Sequence, residues 1–356
     1  MASFLNALVF VFALLLFSGA GMFVGKHYGN VVFPFYRNLS KKMMDGLSVF
    51  SGKIPFALWE LLLLLLIFLF FFSFFHRLRK KKSLLKWFNW VLRIGVLPFF
   101  LFVFLWGMNH YAPPISEDLN LEITENSKEE LLSAARFYRE KAEVYAPLVA
   151  RKADGSPAEE DFRTLAKIAG GSFEELGKSY PIFSCSSAPV KKAVLTRPLF
   201  DYSGIVGLFV CFTGESTVTP NTYAPSMPHT MCHEVAHRCG IAGEDEANFA
   251  AFLACIQNDN NSFRYSGYYS AFLYCYNALY EEDPSAVSQL WNGEETLLRA
   301  DLRGSVKHYE PYQGKTQEIA DKVNDRYLKA FSEESGTKSY GEAVDYLIAY
   351  YKSLNP

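Results

Sequence analysis

Hydrophobic positions are continuous in the first third of the chain and periodic in the remainder, with the change near residue 114. Residues 4–25 carry no charge at all. Residues 54–75 become almost unbroken Leu and Phe from Leu61 onwards, with Glu60 near one end. A third apolar run covers residues 87–108 and includes Arg93 and Pro98. Coiled as helices, all three are long enough to cross the roughly 30 Å hydrocarbon core of a bilayer. The first run lacks a basic start and has no small-x-small cleavage pattern after it, so a retained membrane helix is expected rather than a removed signal peptide. Trp87, Trp90 and Trp106 suit interfacial anchors, Arg93 can snorkel to the nearer surface, and Pro98 is tolerated in a membrane helix.

Past a short stiff exit, Asn109 to Asp118 with Pro113-Pro114, the pattern becomes amphipathic. Ser127-Lys128-Glu129-Glu130 is a capping box that opens a helix to about Leu148. Helical patterns recur over 158–178, 263–280, 317–331 and 341–351. Lys191 to Thr196 and Ile205 to Phe212 are β-rich and bounded by Gly and Pro, which predicts strands. The expected fold class is therefore a three-helix membrane region, residues 1–114, followed by a mainly α, α+β domain with a small sheet, residues 115–356.

Charge sharpens this division. Up to Pro114 there are twelve Lys/Arg against two acids, Asp45 and Glu60; the remainder holds 23 bases and 35 acids, which the near-neutral total conceals. An acidic domain argues against nucleic acid as a partner. Between the second and third spans, Arg77, Arg79, Lys80, Lys81, Lys82 and Lys86 crowd a short turn, whereas the five bases of the Lys26 to Lys53 loop are spread out. The positive-inside rule then puts the compact turn and the amino terminus in the cytoplasm, with the domain after Met108 outside. All six cysteines lie in that domain and none forms a CxxC, so buried thiols are expected, though an outward-facing domain permits some to oxidise.

Chemistry concentrates in one stretch. His233-Glu234-Val235-Ala236-His237 is an HExxH motif; on a helix its histidines share a face one turn apart and can hold one zinc ion, with Glu234 beside the open coordination position as general base. Pro225-Ser226-Met227-Pro228 marks the start of that helix and Gly240 its end. An acidic helix follows at once, and within Glu244-Asp245-Glu246-Ala247-Asn248 the favoured third ligand is Glu244, with Asn248 one turn on to brace it. His229 extends the spacing to HxxxHxxxH but reads as a surface or helix-start histidine.

A small sheet, an HExxH helix and a glutamate helix, in that order, resemble the zincin metallopeptidases with a glutamate ligand. More narrowly, Trp106 to Pro114, Phe212-Thr213-Gly214-Glu215, the HExxH motif, Glu244 to Phe249, Arg264-Tyr265-Ser266-Gly267-Tyr268 and Val323 to Lys329 resemble an uncharacterised bacterial family of membrane-anchored zincin-like proteins, a domain of unknown function. That resemblance implies a zincin-like fold and zinc, with His233 and His237 as ligands and Glu234 as base; it leaves Glu244 and Glu246 as alternatives for the third ligand and names no substrate.

One strand and three residues are further candidates. The Ile205 to Phe212 strand can align an extended peptide by β-addition. Glu215 can hold a substrate amine or cap a turn, and Tyr265 and Tyr268 can donate to an oxyanion opposite the metal. The function expected is a membrane-anchored zinc peptidase whose partners are the lipid bilayer and a peptide or protein substrate. The alternative is a non-catalytic zinc-binding sensor or scaffold. Proteolysis inside the membrane is set aside, because the motif lies far along the chain from any apolar span.

Overall fold

The computed structural model describes residues 2–291, 293, 295–331 and 339–354. Its first three helices, α1 (Ala2–Gly52), α2 (Leu58–Arg79) and α3 (Leu84–Leu105), are each long and apolar enough to cross a membrane. α1 is two limbs joined at Tyr28, whose backbone is non-helical (φ −130°, ψ 25°). The stretch from Lys26 to Lys53, expected to be a loop, is thus helix as far as Gly52, apart from the break at Tyr28. It folds so because Phe33, Tyr36, Ser40, Met44 and Ser48, at three- and four-residue spacing, are buried on one face. Glycines at four-residue spacing let α1 approach the end of α3. A Cβ on Gly21 would meet the Phe104 ring at 3.0 Å, and one on Gly25 the Tyr111 ring at 2.7 Å.

Beyond the turn that follows α3 come α4 (Ile115–Leu119), α5 (Lys128–Tyr145) and α6 (Phe162–Ser179), the second opened by the Ser127–Glu130 capping box. The sheet has the order β1-β3-β2. β1 is only Lys191–Lys192, parallel to β3 (Glu215–Val218); β2 (Gly207–Val210) is antiparallel to β3, with Gly207 opposite Val218 and Val210 opposite Glu215. The strand expected over 191–196 stops early because the amides of Val194 and Thr196 donate to Glu60 in the first turn of α2, leaving them unavailable to a ladder. Between β1 and β2 lies α7 (Arg197–Ser203), a helix the pattern did not announce.

The buried centre is α8 (Met227–Arg238) against α9 (Glu244–Ile256), with α10 (Asn261–Glu282) laid across both. Met231, Cys232, Val235 and Ala236 on α8 and Phe249 to Cys255 on α9 are buried in one core. Gly267 permits the close approach of α10 to α9, since a Cβ there would stand 2.8 Å from that of Cys255. α11 (Leu297–Tyr309), α12 (Lys315–Ala330) and α13 (Ser339–Leu354) complete the chain, α13 packing on α9 and α12 on α7. Cys185 and Cys239 form a disulfide, with Cα atoms 5.3 Å apart, that ties the segment after α6 to the end of α8; Cys211, Cys232, Cys255 and Cys275 are buried thiols.

Candidate metal centre

Pro228 lies in the first turn of α8, and Gly240, at φ +91°, ends the helix and reverses the chain. That tight reversal brings the first residue of α9, Glu244, back over the face of α8 that carries His233 and His237. The Nε2 atoms of the two histidines are 3.0 Å apart, and Glu244 Oε2 lies 3.1 Å from the first and 3.7 Å from the second. All three donor atoms fall within 4.8 Å of one another, an arrangement able to hold a metal ion. A tetrahedral shell with bonds of 2.0–2.1 Å separates its donors by about 3.3 Å, which the three distances bracket. His237 Nδ1 lies 2.8 Å from the Ile241 carbonyl oxygen, so the Nδ1–H donates there and leaves Nε2 free to bind a cation.

The electrostatics agree with the geometry. Burial pulls the His237 ring down, but the adjacent Glu244 outweighs it and lifts the ring to about 9. Burial would raise Glu244, yet the two histidines hold it far below the carboxylate range. A positive charge among these three groups is therefore favoured, and a divalent cation supplies one.

Glu234 is beside the donor cluster but not part of it. Its carboxyl is buried, Oε2 has no hydrogen-bond partner, and burial lifts it to about 7 against the downward pull of the two histidines. It fits only because Gly207, the first residue of β2, has no side chain: a Cβ there would lie 2.3 Å from Glu234 Oε1. Ser216 on β3 donates to the Glu234 carbonyl at 2.7 Å, which fixes α8 against the sheet.

Of the two carboxylates considered as third ligand, only Glu244 is in the cluster. Glu246 Oε1 accepts from the Ile115 amide at 2.9 Å and the Tyr346 hydroxyl at 3.1 Å, and burial raises it to about 8. Tyr265 gives its hydroxyl to Asp301, itself held bidentate by Arg151, and Tyr268 stacks on Tyr145 with centroids 5.7 Å apart. Neither tyrosine is brought to the histidines. Glu215 caps a helix, its two oxygens accepting the Leu58 and Trp59 amides at the start of α2. His229 lies in the first turn of α8, a helix-start position as expected, but it is buried rather than on the surface, with Nε2 3.2 Å from the Asn248 carbonyl oxygen.

Two residues beside the centre escaped the sequence. Tyr274 on α10 donates to Asn248 Oδ1 at 3.0 Å, and the nearby Glu244 charge adds to burial in raising its hydroxyl. The clue was Gly267 and Ser270, small buried residues on this face of α10 two turns and one turn before it. Trp106, expected as a membrane anchor, is buried and donates from Nε1 to the His237 carbonyl at 2.9 Å. The motif is therefore far from α3 along the chain but adjacent to its end in space.

A family model described as a protein of unknown function, DUF3810, matches residues 35–348. No curated protein and no solved structure matches the chain.

Proposed function

The chain belongs to the DUF3810 family, and we propose that it is a membrane-anchored, zinc-dependent peptidase of zincin type that cuts polypeptides at the outer membrane face. The observation that carries this is Glu234: a buried carboxylate whose Oε2 has no hydrogen-bond partner, between two ligand-grade histidines and against the backbone of β2. A purely structural His/His/Glu centre needs no such group, and burying it costs stability.

His233, His237 and Glu244 would hold the zinc, which when bound polarises a carbonyl and acidifies water. Glu234 takes the proton from the attacking water and returns it to the nitrogen of the departing amine. A carboxyl lifted to about 7 is well matched to both transfers near neutral pH. β2 is the terminal strand of its sheet, so an extended substrate can add along its outer edge, and its Gly207 end would bring the scissile bond beside Glu234. The Tyr274–Asn248 pair steadies α9 one turn after Glu244.

Helix direction supports the proposed orientation. Arg93 lies over the Phe10 ring and Gly21 against Phe104, so α1 and α3 run parallel and the amino terminus shares an end with the basic turn at Arg79 to Lys82. The metal centre sits at the opposite end, which the positive-inside rule assigns to the outside. The Cys185–Cys239 disulfide suits an oxidising compartment. Metal analysis of gently purified protein tests the reading. One zinc per chain is expected, absent from His237→Ala and Glu244→Ala and retained by Glu246→Ala; zinc-free wild-type protein, or zinc unaffected by both of the first two substitutions, would overturn it.

A further inference from the structure

The second limb of α1, residues 29–52, has two opposed faces. Phe33, Tyr36, Ser40, Met44 and Ser48 are buried against the rest of the protein. On the other side Val31, Phe35, Leu39, Met43 and Phe50 stand exposed, the first two at 80% and 74%. At 100° per residue these five fall within about a third of a turn, on the side opposite the buried set. A row of large apolar side chains about 30 Å long is not a surface that faces water.

The neighbours of this limb fix its depth. α2 and α3 are 22 residues each, about 33 Å of helix, which just matches the hydrocarbon core. The start of α2 and the end of α3 therefore lie at one boundary of that core. The limb does not rise from this boundary but runs along it. Gly29 touches the backbone of Tyr111, Phe33 packs with Val103, Ser40 Oγ donates to the Leu105 carbonyl at 2.8 Å, and Met44 packs with Trp106. Three of its four charged side chains point to the domain: Arg37 pairs with Asp118, Lys41 donates to the Ile182 carbonyl, and Asp45 accepts the Ser186 amide. Within the exposed face the cation is Lys42, whose stem can lie along apolar surface while its head reaches the phosphates.

We propose that the second limb of α1 is an interfacial helix, lying in the plane of the bilayer with Val31, Phe35, Leu39, Met43 and Phe50 sunk in the boundary between headgroups and acyl chains of the leaflet that the domain faces. The occupant of the exposed stripe is lipid, because the stripe is continuous with the membrane-spanning limb through Tyr28 and level with the ends of α2 and α3. The domain is then seated on the membrane through this helix, and Trp106, packed on Met44 and bonded to His237, sets the metal centre directly above it. Nothing in this inference depends on the peptidase reading.

The test uses full-length protein in nanodiscs of phosphatidylethanolamine and phosphatidylglycerol. Spin labels are placed singly by Phe35→Cys, Leu39→Cys and Phe50→Cys, and by Val144→Cys as an exposed reference on α5. Tyr145 stacks on Tyr268, whose helix binds the start of α8 through Ser266 and His229, the end remote from Trp106. The free native cysteines are buried. Labels at 35, 39 and 50 should be more accessible to oxygen than to a water-soluble nickel chelate, with the order reversed at 144. Nickel accessibility equal to that at 144 would show a water-exposed face and overturn the proposal. Protection from both reagents, with spin–spin broadening, would show a second copy on the stripe and overturn it as well. Three sites are read independently, so one variant that fails to fold does not decide the outcome.

Discussion

Trp106 and His237, 131 residues apart in sequence, are joined by a hydrogen bond from the indole Nε1 to the histidine carbonyl at 2.9 Å, and their rings meet edge-on at 5.9 Å. The residue that ends a membrane-grade helix thus abuts the last turn of the helix that bears His233 and His237. One side chain touches both His237 and the end of a helix apolar enough to cross a membrane.

Trp106→Phe keeps a ring and removes the donor. The expected loss is about tenfold or more in zinc affinity, the scale of changes to groups that orient ligands, and about 1 kcal/mol in stability. Competition with a chromophoric chelator measures the first; unchanged affinity would mean that Trp106 is packing alone.

Gly207→Ala puts a methyl group where Glu234 Oε1 now lies, so the carboxylate must move while His233, His237 and Glu244 keep their places. Zinc content should be unchanged and kcat should fall by about a hundredfold or more, the lower end of a general base contribution. Combining it with Glu234→Gln should cost little beyond either alone. Full activity in Gly207→Ala would show that Glu234 is not held by β2.

Tyr265→Phe removes a buried partner of Asp301 and should destabilise the protein by about 1–3 kcal/mol without changing turnover per folded molecule. Chemical denaturation and active-site titration separate the two quantities. A fall in kcat in a stably folded variant would return Tyr265 to the reaction.

His229 gives a pH signature. Burial, with His233 adding to it, holds its ring down at about 3, below the ordinary 6.5, so the folded protein prefers it neutral while the unfolded chain takes up a proton first. Its contribution is complete above pH 6.5 and is lost as pH falls towards 3, at about 1.4 kcal/mol per pH unit. In metal-free protein, His229→Gln should flatten the fall in stability between pH 6 and 4. Identical slopes for variant and wild type would contradict burial of a neutral ring.

Local chemistry was readable in the sequence and distant chemistry was not. His233, His237 and Glu244 lie within twelve residues of one another, and helix period together with Gly240 suffices to bring them together. Trp106 and Tyr274 reach the same centre from other elements, and no short-range pattern reports such a meeting. Glu215 stayed open between site residue and cap because its partners, the amides of Leu58 and Trp59, are more than 150 positions away. The second limb of α1 looked like a loop because its charges dilute its hydropathy, although the spacing of Phe33, Tyr36, Ser40 and Met44 was already helical. Strand β3 was overlooked because Glu215-Ser216-Thr217-Val218 is polar, yet each of the four is buried between helix and sheet neighbours. The three apolar spans announced themselves by composition alone.

The most direct measurement compares Glu234→Gln with wild type in intact membranes, reading zinc content and newly generated amino termini on outer-face polypeptides in the same preparation. The glutamine keeps shape and hydrogen bonding but has no basic carboxylate, so one zinc per chain should remain while cleavage falls by about a hundredfold or more. Retained zinc with undiminished cleavage, or the same amino termini in both preparations, would contradict the assignment of Glu234 as the base of a peptidase.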